Sequence, residues 1–133
     1  MEEGSRLGSG EAVLVVDSDA RSRDSAAEVL KWEGFSPLRA DSVDLALAIL
    51  ANFIPDIIVV GHKKPPDSLE PLLASSSRSG VPVVILADGA SAAEKAEAYC
   101  AGACGILDTP WSASDLLAEV GRLLHHRLQR KAA

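Results

Sequence analysis

The residues best placed for chemistry in this sequence follow an apolar run, Ile57 to Val60, in the stretch PDIIVVGHKKPPDS. A buried strand that runs into a polar loop is where α/β proteins usually carry their functional groups. The first residue after the run is Gly61, which has no side chain to react or to bind. His62 follows, and its ring nitrogen can accept a phosphoryl group, although an isolated loop histidine is more often a solvated surface residue.

A second group of polar residues follows the apolar run AVLVV: Asp17, Ser18 and Asp19. The ammonium groups of Lys63 and Lys64 could reach the carboxylates of this group and neutralise them in place of a metal ion. Two solvated loop lysines are the simpler interpretation, because surface ion pairs usually contribute little stability.

Two cysteines and two adjacent histidines do not predict a metal site. Cys100 and Cys104 lack the second pair or the suitably spaced histidine that a zinc site needs, so we expect small buried hydrophobic residues. A redox pair is the alternative, but no neighbouring residue indicates one. His125 and His126 near the end of the last predicted helix are expected to be solvated. We therefore expect neither a bound metal nor a cofactor.

Composition limits the class of protein. The chain has 133 residues, of which 47% are hydrophobic and 24% charged, as in an ordinary globular domain. We predict one domain at 11–128, between a flexible lead-in at 1–10 and a tail at 129–133. The net charge of -6 argues against nucleic-acid binding, which needs a basic face. No apolar run approaches the roughly 20 residues of a membrane span, and the N-terminus does not resemble a signal peptide, so we expect a cytoplasmic protein without a membrane partner.

Apolar runs alternate with amphipathic patterns along the chain. The predicted strands are AVLVV (12–16), SPLRA (36–40), DIIVV (56–60), VPVVILA (81–87) and GIL (105–107). The first predicted helix lies between cap candidates at 17–19 and a stop at Gly34, and the others span 40–53, 68–77, 91–102 and 112–130.

Strands and helices in alternation, joined by short loops, predict a parallel sheet that is covered on both faces. Pro37 has no backbone N–H to donate to a neighbouring strand, which places the second strand at an edge. We therefore predict an α/β flavodoxin-like (βα)5 three-layer sandwich with the strand order 2-1-3-4-5. In this order strands 1 and 3 are neighbours, so Asp17 and Gly61 should face each other at their carboxyl ends.

With these motifs the sequence resembles a response-regulator receiver domain, the phosphoryl-accepting module of two-component signalling. The resemblance covers about residues 11–128. It rests on VLVVDSDAR after the first strand, PDIIVVGHKKPPDS around the third, VPVVILAD at the fourth and AGACGILDTPW at the fifth. In receivers, three carboxylates hold Mg²⁺, and the one that ends strand 3 attacks a phosphoryl group.

The resemblance implies a former phosphorylation pocket of six residues: Asp17, Ser18, Asp19, Gly61, Ala87 and Thr109. Gly61 stands where receivers have the phosphoacceptor aspartate, and Ser18 stands where they have a second acid. Ala87 replaces the Thr or Ser that hydrogen-bonds the phosphoryl oxygen. Thr109 replaces the Lys that neutralises its charge, and Ile106 replaces the aromatic switch residue.

These departures predict a pseudo-receiver, a receiver fold that has lost aspartyl phosphorylation and has no enzymatic activity. It would act in two-component signalling through protein–protein contacts, independently of phosphorylation. The expected partner is a histidine kinase or another signalling protein. A homodimer of this domain is a further candidate assembly. The lead-in GSGEAVLVVDSD also resembles the junction before the C-terminal receiver of a hybrid sensor histidine kinase. In receivers, helix 4, strand 5 and helix 5 form the interaction face, which implies Tyr99, Ile106 and Trp111 as contact residues.

Two alternatives remain open. A small-molecule sensor would use a cavity left by the missing side chains at Gly61 and Ala87 to bind a quinone, a nucleotide or an anion. A degenerate receiver would still be phosphorylated, at His62 or another non-standard residue.

Overall fold

Five short and mainly aliphatic runs form one parallel sheet in the computed structural model, which describes residues 8–63 and 69–132. The strands are β1 (Ala12–Val16), β2 (Ser36–Ala40), β3 (Ile57–Lys63), β4 (Val83–Asp88) and β5 (Gly105–Asp108). Their order is β2-β1-β3-β4-β5, and every neighbouring pair is parallel. The predicted flavodoxin-like order is confirmed, with Pro37 on the edge strand β2.

A helix follows each strand. The helices are α1 (Ala20–Trp32), α2 (Val43–Leu50), α3 (Glu70–Ser79), α4 (Ala92–Ala101) and α5 (Ala113–Ala132). Asp19, Ser42 and Ser91 cap the first turns of α1, α2 and α4, because each side chain accepts a hydrogen bond from a backbone N–H of that turn. The predicted alternation of strands and helices is therefore confirmed.

Successive residues along β1, β3 and β4 face two separate cores. Val13 on β1 and Leu86 on β4 belong to the core on the side of α1 and α5. Their neighbours Leu14 and Ala87 belong to the core on the side of α2 and α3. The sheet is therefore the middle layer of three, and it separates the two cores completely along β1 and β4.

Helix α4 differs from the other helices because none of its residues is buried. Its first turn is held by polar contacts instead. Ser91 and Glu94 form a reciprocal capping box, and the Nζ of Lys95 lies 2.8 Å from the Oδ2 of Asp108 on β5. α4 is therefore the helix whose attachment to the sheet depends least on apolar burial.

Several predicted boundaries shift in the structure, and two of the shifts change an interpretation. β3 continues to Lys63, so Gly61 lies inside the strand, opposite Leu86 on β4, and not in the loop after it. α5 continues to Ala132, so the segment predicted as a tail is helical up to that residue.

The end of the predicted lead-in is attached to the domain. The backbone N–H of Gly8 donates to the carbonyl oxygen of Glu33, and that of Gly10 donates to Gly34, each over 2.7 Å. A Cβ added to Gly8 would lie 2.7 Å from the carbonyl carbon of Gly34, so the two backbones touch. Residues 8–10 thus contact the turn between α1 and β2 through their backbone.

The cysteines are a further correction. Cys100 and Cys104 are both exposed, so the prediction that they are buried is wrong. Cys100 belongs to α4, which buries no side chain, and its hydrophobic character therefore does not place it in a core. His125 and His126 are exposed, as predicted. Within the described part of the chain, no helix has both the length and the apolar character that crossing a membrane requires.

The first testable prediction concerns the attachment of α4. Replacing the cap, Ser91→Ala, should weaken the helix by about 1 kcal/mol, which corresponds to a roughly fivefold faster local opening. Because α4 buries no side chain, hydrogen exchange should accelerate in residues 92–101 and not in the central strands. The matched control is Ser42→Ala, which removes the cap of α2, whose Ala46 is fully buried. An equal loss of global stability in the two variants would contradict the prediction.

Candidate functional site

The site begins at Asp17, the residue that follows β1. Its backbone N–H donates to the carbonyl oxygen of Ala40 over 3.0 Å, which extends the pairing of β1 and β2 by one residue. Its side chain turns back over the sheet, and Oδ1 accepts a hydrogen bond of 2.9 Å from the backbone N–H of Asp19. The guanidinium of Arg23 donates to the backbone carbonyl oxygen of Asp17 over 3.0 Å. With 6% exposure, Asp17 is one of the few buried polar residues of the domain.

The carboxyl group of Asp17 occupies the space next to Gly61 on β3. A Cβ added to Gly61 would lie only 2.6 Å from the Cγ of Asp17, a separation that real Cβ atoms do not show. The φ angle of Gly61 is not positive, so its backbone conformation is open to any residue. Any side chain at position 61 would therefore require the carboxyl group of Asp17 to move, whereas the backbone itself would accept one.

A small cleft of about 160 Å³ opens beside these two residues. It is lined by Asp17, Ser22, Gly61, Leu86, Asp88, Thr109 and Trp111. At its rim, the Oγ1 of Thr109 donates to the Oδ1 of Asp88 over 3.2 Å, which joins the carboxyl ends of β4 and β5. The carboxyl ends of four strands, β1, β3, β4 and β5, thus contribute to one cleft.

The structure brings together only part of the predicted pocket. Asp17, Gly61 and Thr109 line the cleft. Ser18 is exposed, and Asp19 caps α1, accepting a hydrogen bond of 3.0 Å from the backbone N–H of Arg21.

Ala87 lies apart from the cleft, on the opposite face of the sheet. It is buried in the core on the side of α2 and α3 and lines a separate groove below α4. Gly61 and Ala87 therefore do not open one common cavity, contrary to the expectation for a small-molecule sensor.

Asp88 lines the cleft but was not among the predicted residues. The same rule that selected Asp17, a carboxylate at the carboxyl end of a strand, would have found it. The side chains of His62 and Lys63, and all of Lys64, lie outside the described residues, so the proposed neutralisation of Asp17 or Asp19 by a lysine remains a prediction.

Comparisons with known proteins agree with this architecture. No protein-family model matches the chain. The chain is 34% identical over 115 residues to the response regulator MprA of a Mycobacterium species (strain KMS), which covers 84% of this chain and 50% of that protein. It is 28% identical over 112 residues to the phosphate regulon transcriptional regulatory protein PhoB of Escherichia coli K12, covering 81% and 49%. The chain thus spans about half the length of these curated relatives.

The fold is shared with solved receiver structures. A CheY-like response-regulator receiver domain protein of Methanospirillum hungatei matches with a TM-score of 0.83 and 24% identity, over 92% of this chain and 99% of that one. The chain contains a response-regulator receiver domain. Gly61 lies on β3 and lines the cleft of this domain.

Mg²⁺ is the ion that receivers hold with three carboxylates, and the described residues of this cleft supply two. The cleft has two carboxylates, Asp17 and Asp88, and the position after Asp17 is the exposed Ser18. Mg²⁺ demands near-ideal octahedral oxygen coordination, so water or a ligand would have to complete a shell that two carboxylates begin. Across residues 8–63 and 69–132, no three His, Cys, Asp or Glu side chains are grouped so as to hold a metal ion.

The residues predicted for the receiver's interaction face point in different directions. Tyr99 on α4 is 50% exposed. Ile106 is half-buried and lines the groove below α4. Trp111 packs against the core on the side of α1 and α5 and lines the cleft. Of these three aromatic and aliphatic residues, Tyr99 presents the largest exposed fraction to a protein partner.

The contact between Asp17 and Gly61 can be measured as a coupling energy. Gly61→Ala should destabilise the domain by about 1 to 3 kcal/mol, because the added methyl group displaces the carboxyl group of Asp17. In a protein that already carries Asp17→Ala, Gly61→Ala should lower the unfolding free energy much less. The difference between these two costs is the coupling energy between the two residues.

Gly121→Ala is the matched control for this cycle. A Cβ added to Gly121 would meet no atom within 4 Å, and Gly121 lies inside α5, so the substitution should be neutral or stabilising. If Gly61→Ala lowered the unfolding free energy equally with and without the Asp17 carboxyl group, the contact between Asp17 and position 61 would be contradicted.

Proposed function

We propose that this receiver domain is a phosphorylation-independent signalling module, a pseudo-receiver, that acts through protein–protein contacts and catalyses no reaction. The observation that supports the proposal is the carboxyl group of Asp17, which occupies the space that an acceptor side chain at position 61 would need. In this arrangement position 61 carries no side chain, and one could be placed there only if the carboxyl group of Asp17 moved.

The charges around the cleft support the same proposal. An aspartyl phosphate adds negative charge, which receivers neutralise with a metal ion and with a lysine at the end of β5. Here the β5 position is Thr109, whose hydroxyl donates to Asp88. A phosphoryl group in this cleft would lie near the carboxylates of Asp17 and Asp88, and like charges at short range disfavour one another.

Signalling without a phosphoryl group requires another source of free energy. A protein partner can supply it, provided that the partner binds one conformation of the domain more tightly than another. α4 is the element best suited to respond, because polar contacts at its first turn, and not buried side chains, hold it in place. We propose that the partner is a histidine kinase or another two-component signalling protein. It would be either separate or joined to this domain as in a hybrid sensor kinase, and a homodimer is the alternative assembly.

A titration with Mg²⁺ and beryllofluoride, a mimic of the phosphoryl group, tests phosphorylation independence directly. We expect no saturable change in the amide chemical shifts of Asp17, Gly61, Ala87 and Thr109. A receiver domain that retains the acceptor aspartate serves as the positive control under the same conditions. Saturable shifts at these residues that extend into α4 and β5 would show a working phosphorylation site and overturn the proposal.

A covalent assay tests the remaining alternative, phosphorylation at a non-standard residue. The chain is incubated with acetyl phosphate and Mg²⁺ and its intact mass is measured at neutral pH, where both aspartyl and histidyl phosphates survive long enough to be detected. We expect no phosphoryl adduct. An adduct that disappears in a His62→Ala variant would identify His62 as the acceptor and replace the pseudo-receiver by a degenerate but active receiver.

A further inference from the structure

A groove of about 290 Å³ lies below α4, on the face of the sheet opposite the cleft at Gly61. Its floor is apolar and consists of side chains from α3, β4 and β5: Leu73, Ile85, Ala87 and Ile106. Its roof is α4, which contributes Ala98 and Ala101. This volume is near the lower end of the range of small-molecule sites, roughly 300 to 1,000 Å³.

The groove exists because the residues of α4 that face the sheet are small. Ala98 packs against the core there and is only half-buried, whereas a larger side chain at this position would fill the space. Apolar walls without partner atoms lose dispersion contacts, so an apolar group that enters the groove restores them. The walls therefore favour an apolar occupant.

The charged residues at the rim of the groove determine which apolar ligands can bind favourably. Four carboxylates line the groove: Glu70, Asp88, Glu94 and Glu97. Among its described lining residues, Lys95 is the one cation, and the carboxylate of Asp108 lies 2.8 Å from it. The part of the rim formed by described residues is therefore acidic, which favours a cationic group and disfavours nucleotides and other anions.

We propose that the groove below α4 is a binding site for a small organic cation, an apolar body of about six to ten carbon atoms that carries an ammonium group. The body lies on Ile85 and Ile106, and the ammonium group lies at the acidic rim near Glu97. A ligand in this position contacts α3, α4 and the sheet together, so it holds α4 against the sheet. The groove shares only Asp88 with the cleft. The site therefore goes beyond the proposed function and is tested independently of phosphorylation.

Three probes with the same apolar body separate the contribution of charge from that of shape: 2-phenylethylammonium, 2-phenylethanol and 3-phenylpropanoate. They are titrated to about 10 mM, a range suited to weak ligands with millimolar Kd. The amide shifts of residues 85, 87, 98 and 106 are followed. We expect saturable shifts with the ammonium compound, binding about tenfold weaker with the alcohol, and none with the carboxylate. Equal affinity for all three probes, or saturation by none of them, would overturn the proposal.

Two alanines of α4 provide matched variants for this experiment. Ala98→Leu fills the groove, so it should abolish binding of the ammonium probe and slow hydrogen exchange in α4. Ala96 is exposed and does not line the groove, so Ala96→Leu should change neither. A folded Ala98→Leu variant that binds the probe with unchanged affinity would exclude the groove as the site.

A third variant keeps the proposal testable if Ala98→Leu does not fold. Glu97 is exposed, and Glu97→Gln removes one rim charge without a change of size. The preference for the ammonium compound over the alcohol should then fall several-fold, while affinity for the alcohol stays the same. An unchanged preference would show that the rim charge does not select the ligand. Binding of a lysine- and leucine-rich peptide, but of no small probe, would assign the groove to a protein partner and overturn the proposed ligand class.

Discussion

Most features of this receiver domain depend on the alternation of side chains across the two faces of one parallel sheet. On β4, Leu86 and Ala87 are adjacent in sequence but belong to opposite cores. The small residues at Gly61 and Ala87 therefore create space on different sides of the sheet. Asp17 fills the first space, and the second remains open below α4. The small residues at these two positions thus have separate structural consequences.

Stability is unevenly distributed over the fold. The central strands β1, β3 and β4 bury nearly all of their aliphatic side chains, so their opening requires the loss of both cores. α4 has no buried residue, and its ion pair between Lys95 and Asp108 is partly exposed, a kind of contact that typically contributes at most about 1 kcal/mol. Small differences in binding energy are therefore sufficient to change the position or the dynamics of α4 without disturbing the rest of the domain.

The sequence was sufficient to predict the fold because the signals that define it are local. Aliphatic runs mark the strands, cap residues mark the helices, and Pro37 marks the edge of the sheet. The strand order then brought Asp17 and Gly61 together correctly. The face on which Ala87 lies was not predicted, because it depends on the register between β3 and β4. Asp88 directly follows the predicted strand, so the rule that selected Asp17 could have selected it as well. The exposure of Cys100 was not predicted, because it depends on α4 burying none of its residues.

The interlocked positions of Asp17 and Gly61 also bear on the evolutionary reversibility of this site. A single mutation that restores an aspartate at position 61 would place its Cβ against the existing carboxyl group, so the first step back carries a cost in stability before it brings any chemistry. Under the proposed function, a return to phosphorylation would require coordinated change at several positions, among them Gly61, Thr109 and the conformation of Asp17. While Asp17 and Gly61 keep this packing, a new binding function on the same scaffold would therefore require fewer simultaneous mutations than a return to phosphorylation.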